Sequence, residues 1–167
     1  MESLVYVALG SNLGHREHMI GEAVERMRGL ATGKVRASSL YATEPEGMGA
    51  APEFINAVAE FTTNLAPEEL LAGLQAIEIA LGRPTGHQAN ESRTIDLDLI
   101  AFGDSCIDTQ DFKVPHPRAH LRDFVMVPLA ELAPELVLPG QTRNAAAIAG
   151  GLSGAGRIIS KLSKHQT

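Results

Sequence analysis

The residues Arg93-Thr94-Ile95-Asp96-Leu97-Asp98, continued by Leu99-Ile100-Ala101-Phe102-Gly103, decide how this chain folds. An Ile-, Leu- and Phe-rich run that ends on glycine reads as a strand entering a core, and side chains two apart in a strand share a face. Ile95, Leu97 and Leu99 therefore project to one side, Asp96 and Asp98 to the other. The apolar side has to pack against helices. The acidic side has to meet water or a ligand, because an unpaired carboxylate in an apolar layer is costly. Aspartate is a poor strand former, so two at the start of a strand point to a function.

Upstream, Leu4 to Leu9 (LVYVAL) reads as a buried strand closed by Gly10. Met19, Ile20, Ala23, Val24, Met27 and Leu30 then recur at helical spacing, and Gly33 ends that helical region. Val35 to Tyr41 and Phe54 to Asn64 read as two extended segments joined by a Gly- and Pro-containing loop. Asn64 or Ala66 leads into a second helix, with Pro67 in its first turn, Glu68 and Glu69 where the helix dipole favours acids, and a buried stripe of Leu70, Leu71, Leu74, Ile77 and Leu81. Gly82 stops it, and a long polar loop leads to the aspartate strand. The order strand, helix, strand, strand, helix, strand predicts a ferredoxin-like α+β core, a βαββαβ antiparallel sheet with helices on one face. Further on, Cys106 to Asp108 reads as a short extended piece and Phe124 to Leu132 as helix-like. Residues 1–150 are expected to form a single domain, and the Gly- and Ser-rich, then basic, stretch 151–167 a loosely packed tail.

A chain of 167 residues is long enough for one sizeable core, and 44% apolar content argues against disorder. The formal charge of −6 argues against a general nucleic-acid or anionic-membrane binder. An RNA recognition motif shares the strand order, but its aromatic-rich signature is missing from this sequence. Cys106 is the lone cysteine, which with the absence of a signal-like N-terminus or membrane-span-length apolar run gives the expectation of a cytoplasmic protein.

Two carboxylates about 6–7 Å apart on one strand face suit Mg²⁺, which takes one or two protein carboxylates and completes its shell with water and substrate phosphates. Arg83, Arg93 and Arg122 sit in or beside loops, where a guanidinium can grip phosphate in bidentate fashion. His116 lies between two prolines; its spacing to His120 is a weak zinc signal without a cysteine or third ligand. Gly10 to Gly14 (GSNLG) lacks the spacing of a phosphate loop and reads as a tight turn with helix capping by Ser11 or Asn12. Phe54 and Phe124, near polar Asn56, could hold a flat ring.

In combination, ALGSNLG, YATEPEG, FINAV, RTIDLDLIAFG and VPHPR followed by RDFVMVPLAEL resemble the 6-hydroxymethyl-7,8-dihydropterin pyrophosphokinases of folate biosynthesis, from about Val5 to Leu138. The resemblance implies transfer of a pyrophosphoryl group from ATP to the hydroxymethyl oxygen of the pterin, releasing AMP. It implies that Asp96 and Asp98 bind two Mg²⁺ ions and that Phe54 and Phe124 hold the pterin, with Asn56, Thr43 and Glu46 reading its edge. Gln75, Glu78 and Leu99 would lie by the nucleotide, and Arg93, His116 and Arg122 by its phosphates. Arg83 and Arg93 would serve catalysis, with Asp98 as the candidate base. ATP and hydroxymethyldihydropterin would be the small-molecule partners of a monomer or weak homodimer, without nucleic acid or membrane. Where the family commonly reads Arg-Trp-Gly-Pro, this chain has Ala89-Asn90-Glu91-Ser92, and Thr85 stands where some members have arginine. A non-catalytic or slow pterin- or nucleotide-binding homologue with an altered lid is the second reading.

Overall fold

The computed structural model describes residues 2–12, 15–44, 53–82, 95–152 and 158–164. In chain order the elements are β1 (Ser3–Ser11), α1 (Arg16–Met27), β2 (Arg36–Ala37), β3 (Ser39–Thr43), β4 (Phe54–Thr63), α2 (Pro67–Ala80), β5 (Asp96–Phe102), β6 (Ile107–Asp108), β7 (Lys113–Val114), α3 (Asp123–Leu132), α4 (Ala145–Gly151) and β8 (Ile158–Lys164). The main sheet runs β5-β1-β4-β3-β8 with β2 also paired to β4, and its described pairings are antiparallel. β1 lies between β4 and β5, the ferredoxin-like α+β arrangement that the element order predicts.

One face of the sheet carries Val5, Val7 and Leu9 of β1, Ile55, Ala57 and Phe61 of β4, and Leu97 and Leu99 of β5. Ile20, Val24 and Met27 of α1 and Leu70, Leu74 and Ile77 of α2 close over them, so the helical stripes read from the sequence are the buried ones. Leu71 and Leu81 are half-buried at the margin of the second stripe. α2 starts after Ala66, whose N–H donates to Glu69 Oε1 at 2.8 Å. α1 starts after His15 with no side-chain cap bond, which corrects the expected capping by Ser11 or Asn12. Ser11 instead completes β1 and is fully buried.

The opposite face is apolar for only part of its length. Tyr6, Ala8, Val58, Ile100 and Ala101 form a second cluster with Val125, Met126 and Leu129 of α3 and Ala145 and Ile148 of α4. The reading of helices on one face is thus completed by a second pair on the other, because these apolar side chains also require cover. A register shift where β5 passes Tyr6 and Val7 turns Ile100 and Ala101 both toward this second cluster and returns Phe102 to the first.

Within the stretch expected to be a tail, residues 158–164 form β8, which pairs with β3 at the edge of the sheet. Main-chain hydrogen bonding to a sheet edge needs no apolar pattern, which is why composition did not show it.

α3 is held on the sheet by its C-terminal turn. The Ser39 N–H donates to Glu131 Oε1 and Oε2 at 3.1 and 3.0 Å, the Ser39 hydroxyl to Oε2 at 2.9 Å, and the Tyr41 hydroxyl to Oε1 at 2.6 Å. Burial pushes the Glu131 carboxyl up, but these hydrogen bonds, with Lys161 nearby, outweigh it and hold the group below the usual glutamate range. Burial and the same contact push the Tyr41 phenol up. A carboxyl with a depressed folded-state pKa stabilises fully above the ordinary glutamate range and loses that contribution as pH falls through the range to the lower folded value. Glu131→Ala is therefore expected to lower the unfolding free energy by about 1–2 kcal/mol at neutral pH, a figure kept small because the side chain is largely exposed. In urea titrations the deficit should shrink on acidification through that window; a constant deficit would show that the charge contributes nothing.

Candidate functional site

β1 and β3 end, and β4 and β5 begin, at the same end of the sheet. On the face not covered by α1 and α2, the register places Gly10 opposite Asn56 on one side and opposite Asp96 on the other, with Tyr41 next to Asn56. One row further in, Ala8 stands between Val58 and Asp98. The face thus changes from an apolar floor under α3 to a polar one within a single step along β1. Asp98 is exposed and Asp96 half-exposed.

Asn56 is buried, and its Nδ2 donates to Thr43 Oγ1 at 2.5 Å; Thr43 is also buried and pairs with Phe54, which begins β4 half-buried. Three residues expected to bind one ligand, Thr43, Phe54 and Asn56, therefore meet at this end. The Asp96 and Asn56 backbones are two strand spacings apart, about 10 Å.

Glu78, buried on α2, accepts the Leu97 N–H at Oε2, 2.8 Å, from the side of β5 away from β1. That bond sits between the two aspartates and fixes the strand segment carrying both. The Leu99 side chain is buried in the first core, so its side chain serves packing. Gln75 is exposed on α2.

His116 is tied to β5 two residues beyond Asp98 by its N–H, which donates to the Ile100 carbonyl at 2.9 Å. The Arg118 N–H donates to His116 Nδ1 at 3.1 Å, which puts the proton of a neutral ring on Nε2 and makes that nitrogen a donor. Arg122 precedes α3, and its guanidinium carbon lies 5.4 Å from the centre of the Phe124 ring, a cation–π contact that covers one ring face. Glu46, Arg83 and Arg93, with Thr85 and the Ala89-Asn90-Glu91-Ser92 segment, lie outside the described residues.

The donor set fits a hard cation shared with a substrate. Asp96 and Asp98 are two carboxylates on one open face, and among the described residues no group of three or more His, Cys, Asp or Glu could hold a metal by itself. Mg²⁺ accepts such a partial set when phosphates and water fill its remaining positions. Two strand features were not read from the sequence. Glu78 acts on the backbone between the aspartates, and Gly10 lies inside β1, not in a turn after it. A glycine within a strand was the available signal, since it often marks a close approach.

Residues 6–134 match the sequence model of the 7,8-dihydro-6-hydroxymethylpterin-pyrophosphokinase family. A 2-amino-4-hydroxy-6-hydroxymethyldihydropteridine pyrophosphokinase of Pseudomonas aeruginosa is 46% identical over 136 residues, covering 81% of this chain and 83% of the relative. One from Bacillus subtilis is 41% identical over 137 residues, covering 81% of each. A solved Plasmodium falciparum HPPK-DHPS chain superimposes with a TM-score of 0.72 at 14% identity over 90% of this chain. This chain spans 43% of that longer one, and the likeness at that identity concerns the fold.

Glu78→Leu should leave the Leu97 N–H without its acceptor and cost about 1–3 kcal/mol of stability, whereas Glu78→Gln, which keeps an acceptor oxygen, should cost less. Paired urea denaturation of the two variants measures this, and equal losses would argue against the hydrogen bond as the cause.

Proposed function

Because this chain belongs to the 7,8-dihydro-6-hydroxymethylpterin-pyrophosphokinase family, we infer that the open end of its sheet is where the family's reaction takes place. The protein is an ATP-dependent pyrophosphokinase of folate biosynthesis, transferring a pyrophosphoryl group from ATP to 6-hydroxymethyl-7,8-dihydropterin. The observation that carries the placement is the row Asp96, Gly10, Asn56, which sets a metal-type carboxylate two strands from an oriented amide.

In this reading Asn56, with Thr43 behind it, reads the pterin edge, and Phe54 and Phe124 bound the ring. Stacking on each aromatic contributes about 1–3 kcal/mol if base-stacking magnitudes transfer. Glu46 belongs to the same edge-reading set. Asp96 and Asp98 hold the cation that accompanies the triphosphate, which we take as two Mg²⁺ ions. Bound there, Mg²⁺ neutralises phosphate charge and makes the β-phosphorus more electrophilic. Gln75 and Glu78 on α2, with the Leu99 main chain, line the nucleotide side; His116 Nε2 and Arg122 donate to phosphate oxygens. Arg83 and Arg93 offset charge on the departing AMP, and Asp98 takes the hydroxymethyl proton. Such transfers depend on alignment and charge neutralisation more than on covalent help, and a rigid sheet floor supplies alignment. Among the described residues no helix is long and apolar enough to cross a membrane. A monomer or weak homodimer working in the cytoplasm is the setting we propose.

Asp96→Ala and Asp98→Ala are each expected to reduce AMP formation from ATP, Mg²⁺ and hydroxymethyldihydropterin by at least about a thousandfold, about 4 kcal/mol of barrier. Direct titration should show pterin affinity far less affected. Near-normal turnover in either variant would remove that carboxylate from the site.

A further inference from the structure

Gly10 occupies a paired position inside β1, where a larger residue would ordinarily serve better. Among the described residues the glycines with left-handed backbone are Gly82, Gly103 and Gly140, and Gly10 is not one of them, so conformational freedom does not explain it. Space does. A Cβ at this position would lie 2.6 Å from Asn56 Oδ1 and 3.5 Å from Phe54 Cδ1. The first distance is well inside contact, and the oxygen it displaces is not at the end of a mobile side chain. Asn56 is buried, and its other terminal atom donates to Thr43. Moving Oδ1 aside means turning the carboxamide and straining or breaking that bond.

We propose that Gly10 is a positioning residue for substrate recognition: its missing side chain leaves the space in which the Asn56 carboxamide is held with Nδ2 on Thr43 and Oδ1 toward β1. The amide then meets a ligand with its acceptor, and the site selects a flat heterocycle that presents an N–H donor there. The inference rests on the reading of this face as the pterin site.

The test is a double-mutant cycle on the full chain, with binding of 6-hydroxymethylpterin measured by titration and KM for ATP measured in the AMP-forming assay. Gly10→Ala is expected to weaken pterin binding at least about tenfold with KM for ATP changed less than about twofold. In an Asn56→Ala background, where the amide that the new methyl would strike is gone, adding Gly10→Ala should change pterin binding less than about twofold. That double variant also relieves the collision if Gly10→Ala alone does not fold. Pterin affinity preserved in Gly10→Ala would overturn the proposal, as would an equal loss with and without the Asn56 amide. Asn56→Ala binding pterin normally would instead overturn the site reading on which it rests.

Discussion

The register of β5 against β1 is the constraint on which the rest depends. Side chains alternate with a period of two, so a slip of one residue would carry Asp96 and Asp98 into the apolar layer under α1 and α2 and expel Leu97 and Leu99. Burying two unpaired carboxylates costs more than such a domain's whole margin of stability. The sheet therefore has one register, and with it one possible place for the acidic pair.

The same strand sets the two characters of the second face. Tyr6 and Ala8 lie in the apolar cluster under α3 and α4, and the next residue on that side, Gly10, is flanked by Asn56 and Asp96. The apolar half anchors the scaffold, and the polar half is left for chemistry. Anchoring is reinforced by side chains: Glu131 ties the end of α3 to Ser39 and Tyr41, and the Arg36 Nη1 and Tyr6 hydroxyl both donate to Glu60 at 2.7 and 2.6 Å. The Glu131 bonds hold α3 on the sheet, and the Glu60 bonds tie β1 and β2 to β4.

Pyrophosphoryl transfer asks a protein to bring a flat heterocycle and a charged triphosphate together in one geometry. A sheet suits this because neighbouring strands fix separations that no loop could hold.

Alternation and helical spacing were legible in the chain itself: the buried faces of α1 and α2, the strand at Asp96, the βαββαβ order and the shared face of Asp96 and Asp98 all follow from local periodicity. What periodicity could not show is which strands become neighbours and in what register. That decision put Asn56 and Asp96 on either side of Gly10, brought Glu78 onto the Leu97 amide, covered Tyr6 and Ala8 with α3 and α4, and recruited β8 to the sheet. Each is a contact between segments distant along the chain, made by hydrogen bonding and close packing, and such contacts exist only once the chain has closed on itself.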